Sequence, residues 1–333
     1  MQSLARLLLA FAYLLLGPLA VIADELPADT NKIKSLTVEE ARRLVATFKG
    51  QVLRLDGLTT LDADTAKALV EFKGQHLYLN GVTALDADTA KALAEFKGHL
   101  LCLDGVTALD AATAKAIAAF KCQVLYLTGL TTLDPDTAKA LASLKAWDGR
   151  LPNLTTLDAD TAKALAEFKG EYLDFGGLPT LHAATAKALA EFKGQVLRLV
   201  GLTNLDADTA KALAEFKGQW LNLNGLTTLD ADTAKALAAN EKWNSQLPAL
   251  TAFETPDSAA VAQALATRKG PLALPNLKKI SPKTLTALIE KRDVQIPLIE
   301  TLELIQEPDG SATEDFVFPE WLEKRQMQQR RAP

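Results

Sequence analysis

Apolar positions along this chain alternate between two rhythms. In residues 61–73, Thr65, Leu69 and Phe72 fall on one helical face, while Lys67 and Glu71 fall on another, the 3.6-residue spacing of a half-buried helix. In residues 75–80, Leu77 and Leu79 alternate with polar or aromatic neighbours, the two-residue spacing of a short strand. The pattern predicts a helix over residues 63–73. Asp62 caps its start, Asp64 adds negative charge in the first turn and Lys73 positive charge in the last. Gly74 stands where a left-handed residue would close the helix. Gly81 turns the chain, and Val82 and Leu85 return it to the core.

This unit recurs in register. Copies start at Leu61, Leu85, Leu109, Leu133, Leu157, Leu181, Leu205 and Leu229, each 24 residues after the last. A period of this length marks a solenoid, because one unit cannot bury its own apolar face. A degenerate copy starts at Leu36, with Thr37 as cap, a helix over residues 38–49 and Gly50 as stop. Its Glu39, Glu40, Arg42 and Arg43 suit a polar end cap. Beyond Leu229, residues 257–269 and 281–292 read as two further helices, with Gly270 after the first and Pro282 in the first turn of the second. The expectation is 11 helix–strand units.

Strand, turn and helix within 24 residues imply parallel strands stacked edge to edge, with helices outside. Strands stack about 4.8 Å apart and helices about 8–10 Å apart, so the sheet lines the concave side. Ala66 and Ala68 are small enough to let helices approach and moderate the bend. The fold class is therefore an α/β solenoid, a horseshoe with strands on the concave and helices on the convex face. Residues 36 to about 304, most plainly Leu77-Tyr78-Leu79-Asn80-Gly81-Val82-Thr83-Ala84-Leu85, resemble the leucine-rich repeat family, in particular bacterial exported repeats of the form LxLxGLTxL followed by an alanine-rich helix. The family's buried Asn would fall at Val82, so its Asn ladder is missing. A Thr column (Thr59, Thr83, Thr107, Thr131, Thr155, Thr203, Thr227, Thr251), interrupted by Pro179, is expected to satisfy turn backbone groups instead.

Two copies depart together. Trp147 and Trp243 lie 96 residues apart, and each precedes a Leu-Pro turn, Leu151-Pro152 and Leu247-Pro248, which suggests a duplicated four-repeat block. Both prolines are expected to remove ladder hydrogen bonds and fray the sheet. The organisation reads as residues 1–23 signal peptide, 24–35 linker without fixed structure, 36–297 solenoid, 298–319 C-terminal cap and 320–333 basic mobile tail. Phe316-Val317-Phe318-Pro319 is the expected plug over the last open edge.

The signal assignment rests on Arg6, an apolar run from Leu7 to Leu16, the Gly17-Pro18 break and small residues at Val21 and Ala23. The alternative is a retained anchor, since 17 uncharged residues from Leu7 are near the lower limit for a span. With cleavage no membrane span remains, and the expected destination is periplasm, outer surface or medium. A net charge of −5 disfavours nucleic acid, which asks for a basic patch. Repeat alignment sets Cys102 opposite Tyr126, four residues beyond Cys122; four extended residues span about 13 Å, too far for a Cys102–Cys122 disulfide.

No catalytic constellation is evident, so the chain reads as a non-enzyme. His76, His99 and His182 occupy unrelated repeat positions, without metal-ligand or triad spacing. The repeated Asp-Ala-Asp reads as helix capping rather than calcium binding, and no cofactor or metal is implied. The informative positions are those that vary. Alternate strand residues point outward, and these columns differ between copies. The first is Val52, His76, Leu100, Val124, Tyr172, Val196 and Trp220; the second Arg54, Tyr78, Cys102, Tyr126, Arg150, Asp174, Arg198 and Asn222; the third Asp56, Asn80, Asp104, Thr128, Gly176, Val200 and Asn224. Drift of unconstrained surface would produce such variation, and so would a recognition surface. Tyr, Trp and Arg are common binding anchors. The candidate contacts are Arg54, Tyr78, Tyr126, Tyr172, Arg198 and Trp220, with Asp56, Asn80, Asp104, Asn222 and Asn224 as hydrogen-bonding neighbours. The expected partner is a protein or extracellular polymer; the alternative is a rigid envelope spacer with no specific ligand.

Overall fold

A computed structural model describes Pro27, residues 29–312 and residues 319–331. The expected signal segment and the Phe316–Phe318 plug lie outside the described residues. The array alternates strands and helices: α1 (Val38–Thr47), β1 (Val52–Arg54), α2 (Ala63–Leu69), β2 (His76–Tyr78), α3 (Ala87–Leu93), β3 (Leu100–Cys102), α4 (Ala111–Ile117), β4 (Val124–Tyr126), α5 (Pro135–Ala142), α6 (Ala159–Ala166), β5 (Tyr172–Asp174), α7 (Ala183–Ala190), β6 (Val196–Arg198), α8 (Ala207–Ala214), β7 (Trp220–Asn222), α9 (Ala231–Ala239), α10 (Ser258–Ala266), β8 (Leu272–Ala273), β9 (Lys279–Ile280), α11 (Pro282–Ile289), β10 (Val294–Gln295) and β11 (Glu303–Leu304). A final helix, α12, spans Glu320–Arg331. Every strand pair is parallel, with neighbours one unit apart in sequence, as in Leu53↔Leu77 and Leu77↔Leu101. The molecule is an α/β solenoid of about 11 leucine-rich-repeat-like units.

The core is one continuous column. Leu53, Leu77, Leu101, Leu125, Leu173, Leu197 and Leu221 point inward and are fully buried. Behind them Phe168, Phe192 and Phe216 stack, with ring centroids 6.5 and 6.4 Å apart. Asp62, Asp86, Asp110, Asp134, Asp158, Asp206 and Asp230 cap the helices, each accepting a backbone N–H from the first turn. His182 holds the same place with no side-chain cap bond.

Several expectations are corrected. Helix α2 ends at Leu69 rather than near residue 73, because a tighter turn follows, with Phe72 N–H bonded to Leu69 O at 3.0 Å. Gly74 has no left-handed backbone; its role is close approach, since a Cβ there would lie 2.8 Å from the Gln51 carbonyl oxygen of the preceding coil. The exposed Thr column supplies backbone ladder bonds, but among its hydroxyls only those of Thr131 and Thr227 reach a carbonyl, Thr107 O at 3.2 Å and Thr203 O at 3.1 Å. The inter-coil side-chain ladder belongs instead to buried threonines inside the helices. Thr89, Thr113, Thr137, Thr185, Thr209 and Thr233 each donate to the carbonyl 28 residues earlier, at 3.0–3.5 Å.

The sheet does break at the two tryptophan copies, for a different reason than proline. It divides into β1–β4 and β5–β7, with two short pairs beyond. At the first break Trp147 pairs with Leu125, and register resumes at Arg150↔Asp174. Gly149 occupies the inward leucine position in a left-handed conformation at φ 78°, and Trp147, two residues earlier, fills the core there. Ser245 repeats this at φ 57°, with Trp243 pairing to Leu221. Leu151 N–H still bonds to Asp174 O at 2.8 Å, so Pro152 interrupts little.

Both ends are more ordered than the sequence implied. Within the expected linker, residues 30–32 form a 3-10 turn, Ile33 is buried and Asp56 N–H reaches Asn31 Oδ1. Within the expected tail, α12 buries Leu322, and Gln326 bonds to the Ile299 N–H and Pro297 O. Leu322 and Trp321 packed against the core, with the two Gln326 bonds, hold this otherwise polar helix in place.

Candidate binding face

Each strand sends its middle residue into the core and its flanking residues onto the opposite face, so the outward columns share one surface. The register Cys102↔Tyr126 and Asp174↔Arg198 places second-column residues side by side. Their interactions divide the face into three regions.

At the N-terminal end, the Arg54 guanidinium lies 3.8 Å from the centre of the Tyr78 ring and 3.5 Å from Asp56. Such exposed contacts contribute about 0.5–1 kcal/mol each; they set the geometry of the arginine more than the stability of the fold. Asp56, Asn80 and Asp104 are partly committed to the scaffold. Asp56 Oδ1 accepts Asn80 N–H at 3.3 Å, Asn80 Oδ1 accepts Asp104 N–H at 3.2 Å and Asp104 Oδ1 accepts Thr128 N–H at 2.9 Å. This ladder lies beyond the strand ends and ties successive turns together. The surface dips at β3, where Leu100 and Cys102 are buried. Cys102 Sγ donates to Asp104 at 3.0 Å, and burial with the neighbouring carboxylate pushes its thiol far above the ordinary range. Cys122 is also a free, buried thiol, pushed up to about 11 by burial.

The middle region surrounds the first break. Tyr126 and Tyr172 are half-buried, Arg150 lies 5.8 Å from the Tyr172 ring centre and Arg198 pairs with Asp174 at 3.1 Å. Asp174 is itself buried, and its Oδ1 has no partner. Asp148 is a residue that sequence reasoning missed. Its carboxyl is pushed up to about 6 by burial, against which the Arg150 backbone N–H and guanidinium act. Asp148 lies 24 residues after Val124 and 24 before Tyr172, so the repeat itself places it in the first outward column, although the surrounding copy departs from the motif.

At the C-terminal end Trp220 is 66% exposed. Asn222 Oδ1 accepts Asn224 N–H at 3.0 Å, and Asn224 Oδ1 accepts the Asn244 amide at 2.8 Å. These residues, with Gln219 and Gln246, line a pocket of about 460 Å³. Asn244 and Gln246 lie 24 residues after Trp220 and Asn222, so they continue the first and second outward columns through the second irregular copy.

Among the described residues no group of three His, Cys, Asp or Glu is arranged to hold a metal ion, and no helix is long and apolar enough to cross a membrane. No family model matches the chain, and no curated protein matches it. Solved structures with similarity include the TLR13–ssRNA13 complex, at 19% identity and TM-score 0.38 over 74% of this chain and 44% of that one. Another is the Toll–Spatzle complex of Drosophila, at 12% identity and TM-score 0.34 over 74% of this chain and 43% of that one. The chain thus spans less than half the length of either.

Proposed function

We propose that this protein is an exported, non-catalytic binding scaffold that holds a protein or polymer on its strand face. The observation that carries the reading is the contrast between inward and outward strand positions. Inward leucines are constant and fully buried, while outward neighbours vary and leave a large indole, Trp220, 66% exposed. Exposed tryptophan costs solvation and gives the fold nothing; drift favours smaller polar residues there. Arg54, Tyr78, Tyr126, Tyr172, Arg198 and Trp220 are the contacts, with the carboxylates of Asp56 and Asp104 and the side-chain amides of Asn80, Asn222 and Asn224 beside them. The partner is taken up at the periplasm, the outer surface or in the medium, and a net charge of −5 weighs against nucleic acid as that partner.

The test is affinity capture from envelope and extracellular material by the immobilised protein, against a variant carrying Tyr78→Ala, Tyr126→Ala and Trp220→Ala. Loss of the captured species with unchanged circular dichroism supports the reading. Capture that survives the triple substitution refutes it and favours a spacer without a specific ligand.

A further inference from the structure

We infer that the pocket at Trp220 is a subsite for a neutral saccharide, an assignment that rests on the strand-face reading and names its ligand class. The pocket joins one flat exposed ring to a set of side-chain amides. Trp220 comes from β7, as does Asn222, and Gln219 and Asn224 flank that strand; Asn244 and Gln246 come from the following coil. Each amide offers both an N–H donor and a carbonyl acceptor, which is what hydroxyl groups require. With Asn222 Oδ1 and Asn224 Oδ1 already accepting, their NH₂ groups are left to donate outward. The negative face of the indole attracts the weakly positive C–H edge of a pyranose ring. At about 460 Å³ the pocket falls in the small-ligand range of about 300–1,000 Å³.

Charge and repetition narrow the ligand further. The pocket's charged lining is Glu241 and Lys242, of opposite sign, and it holds no arginine fork of the kind that recognises phosphate or carboxylate. An extended peptide would ask for amides recurring coil after coil along the sheet. Here the second column runs Asp174, Arg198, Asn222, so although a glutamine stands one coil earlier at Gln195, the second-column amides begin only at Asn222 and suit a compact ligand. The duplicated copy supplies the contrast. The first bulge carries Asp148, Gly149 and Arg150 where the second carries Asn244, Ser245 and Gln246. The same backbone device therefore presents an acid and a guanidinium in one place and two amides in the other.

The experiment is calorimetric titration of the full chain, with saturation-transfer NMR on the ligand, using cellotetraose, maltotetraose, mannotetraose and N-acetylated chitotetraose. A neutral Gly-Ser-Asn decapeptide serves as the peptide arm. At least one tetrasaccharide is expected to bind. Trp220→Ala should weaken it tenfold or more, Trp220→Phe by a few-fold, and Lys67→Ala, an exposed change on helix α2, not at all. Failure of all four saccharides, equal binding by the Trp220→Ala variant, or binding of the decapeptide alone at Trp220 overturns the assignment. If saccharides fail while protein capture still depends on Tyr78 and Tyr126, only this subsite falls and the strand-face reading stands.

Discussion

Thr161 and Thr233 provide a controlled test of what ties one coil to the next. Both lie in the sequence Leu-Asp-Ala-Asp-Thr-Ala-Lys-Ala-Leu-Ala, both are fully buried, and both donate their N–H to the capping aspartate at 2.7 Å. They differ at the hydroxyl. Thr233 Oγ1 donates to Leu205 O at 3.0 Å, whereas Thr161 Oγ1 has no partner. The counterpart carbonyl 28 residues earlier, that of Leu133, receives no bond from Thr161, and the Trp147 copy lies between the two coils. Valine preserves the β-branch and has nearly the same helix propensity. Thr233→Val removes a bond worth about 1 kcal/mol and leaves a buried carbonyl unpaired, for a total cost of about 1–3 kcal/mol. Thr161→Val removes a buried hydroxyl that was already unpaired, so it should be neutral or stabilising by up to about 1 kcal/mol. Solenoids need not unfold in one step. Urea midpoints should therefore be read beside amide exchange in α6 and α9. The midpoint is expected to fall for Thr233→Val and to hold or rise for Thr161→Val. Equal losses at the two sites would refute the claim that this hydroxyl ladder holds the coils.

Two more perturbations probe the bulges. Gly149→Ala should cost well over the ~1–2 kcal/mol of a left-handed alanine, because a Cβ there would also clash with the Tyr172 carbonyl oxygen of the next coil. Gly270→Ala, with φ 83° and nothing within 4 Å, should cost only the conformational part; similar thermal shifts for the two would contradict this. Asp148→Asn tests burial of a carboxyl titrating at about 6, against about 3.9 when unfolded. Folding then takes up a proton between about pH 4 and 6, and stability falls as pH rises through that window. The substitution should raise stability at pH 7 by at most about 3 kcal/mol, read as a higher urea midpoint, and leave it unchanged near pH 3; a gain at both pH values would point to another cause.

What the sequence made legible follows from the period. A 24-residue repeat places leucines inward, aspartates at helix starts and outward columns in register without any need of coordinates. What it hid was local competition. Phe72 joins the core through a tight turn, so the helix stops early. Asp56, Asn80 and Asp104 face outward, yet the N–H left unpaired one coil further on claims an oxygen from each. Asp148, Asn244 and Gln246 lie 24 residues after Val124, Trp220 and Asn222, so the period does place them on the outward columns; what it did not show is the left-handed residue that puts Trp147 and Trp243, rather than a leucine, into the core.

The second bulge shows why the two halves of the duplication could diverge. Serine in a left-handed conformation is costlier than glycine, by about 1 kcal/mol, and Ser245 carries that cost where Gly149 does not. Its compensation comes from inside. Arg268, buried in line with the phenylalanine stack, donates to Ser245 Oγ at 2.7 Å and to Trp243 O at 3.0 Å, and also bonds to Asn240 O. Lys291 in turn donates to Arg268 O at 2.6 Å. A buried guanidinium removed from water is tolerated only with such saturation, and here the carbonyls that saturate it belong to the bulge and the helix end before it. The loop that presents Asn244 and Gln246 beside Trp220 is thus clamped from the core by a charge. Stiffness of this kind lowers the ordering cost of binding, which favours the subsite proposed at the C-terminal break.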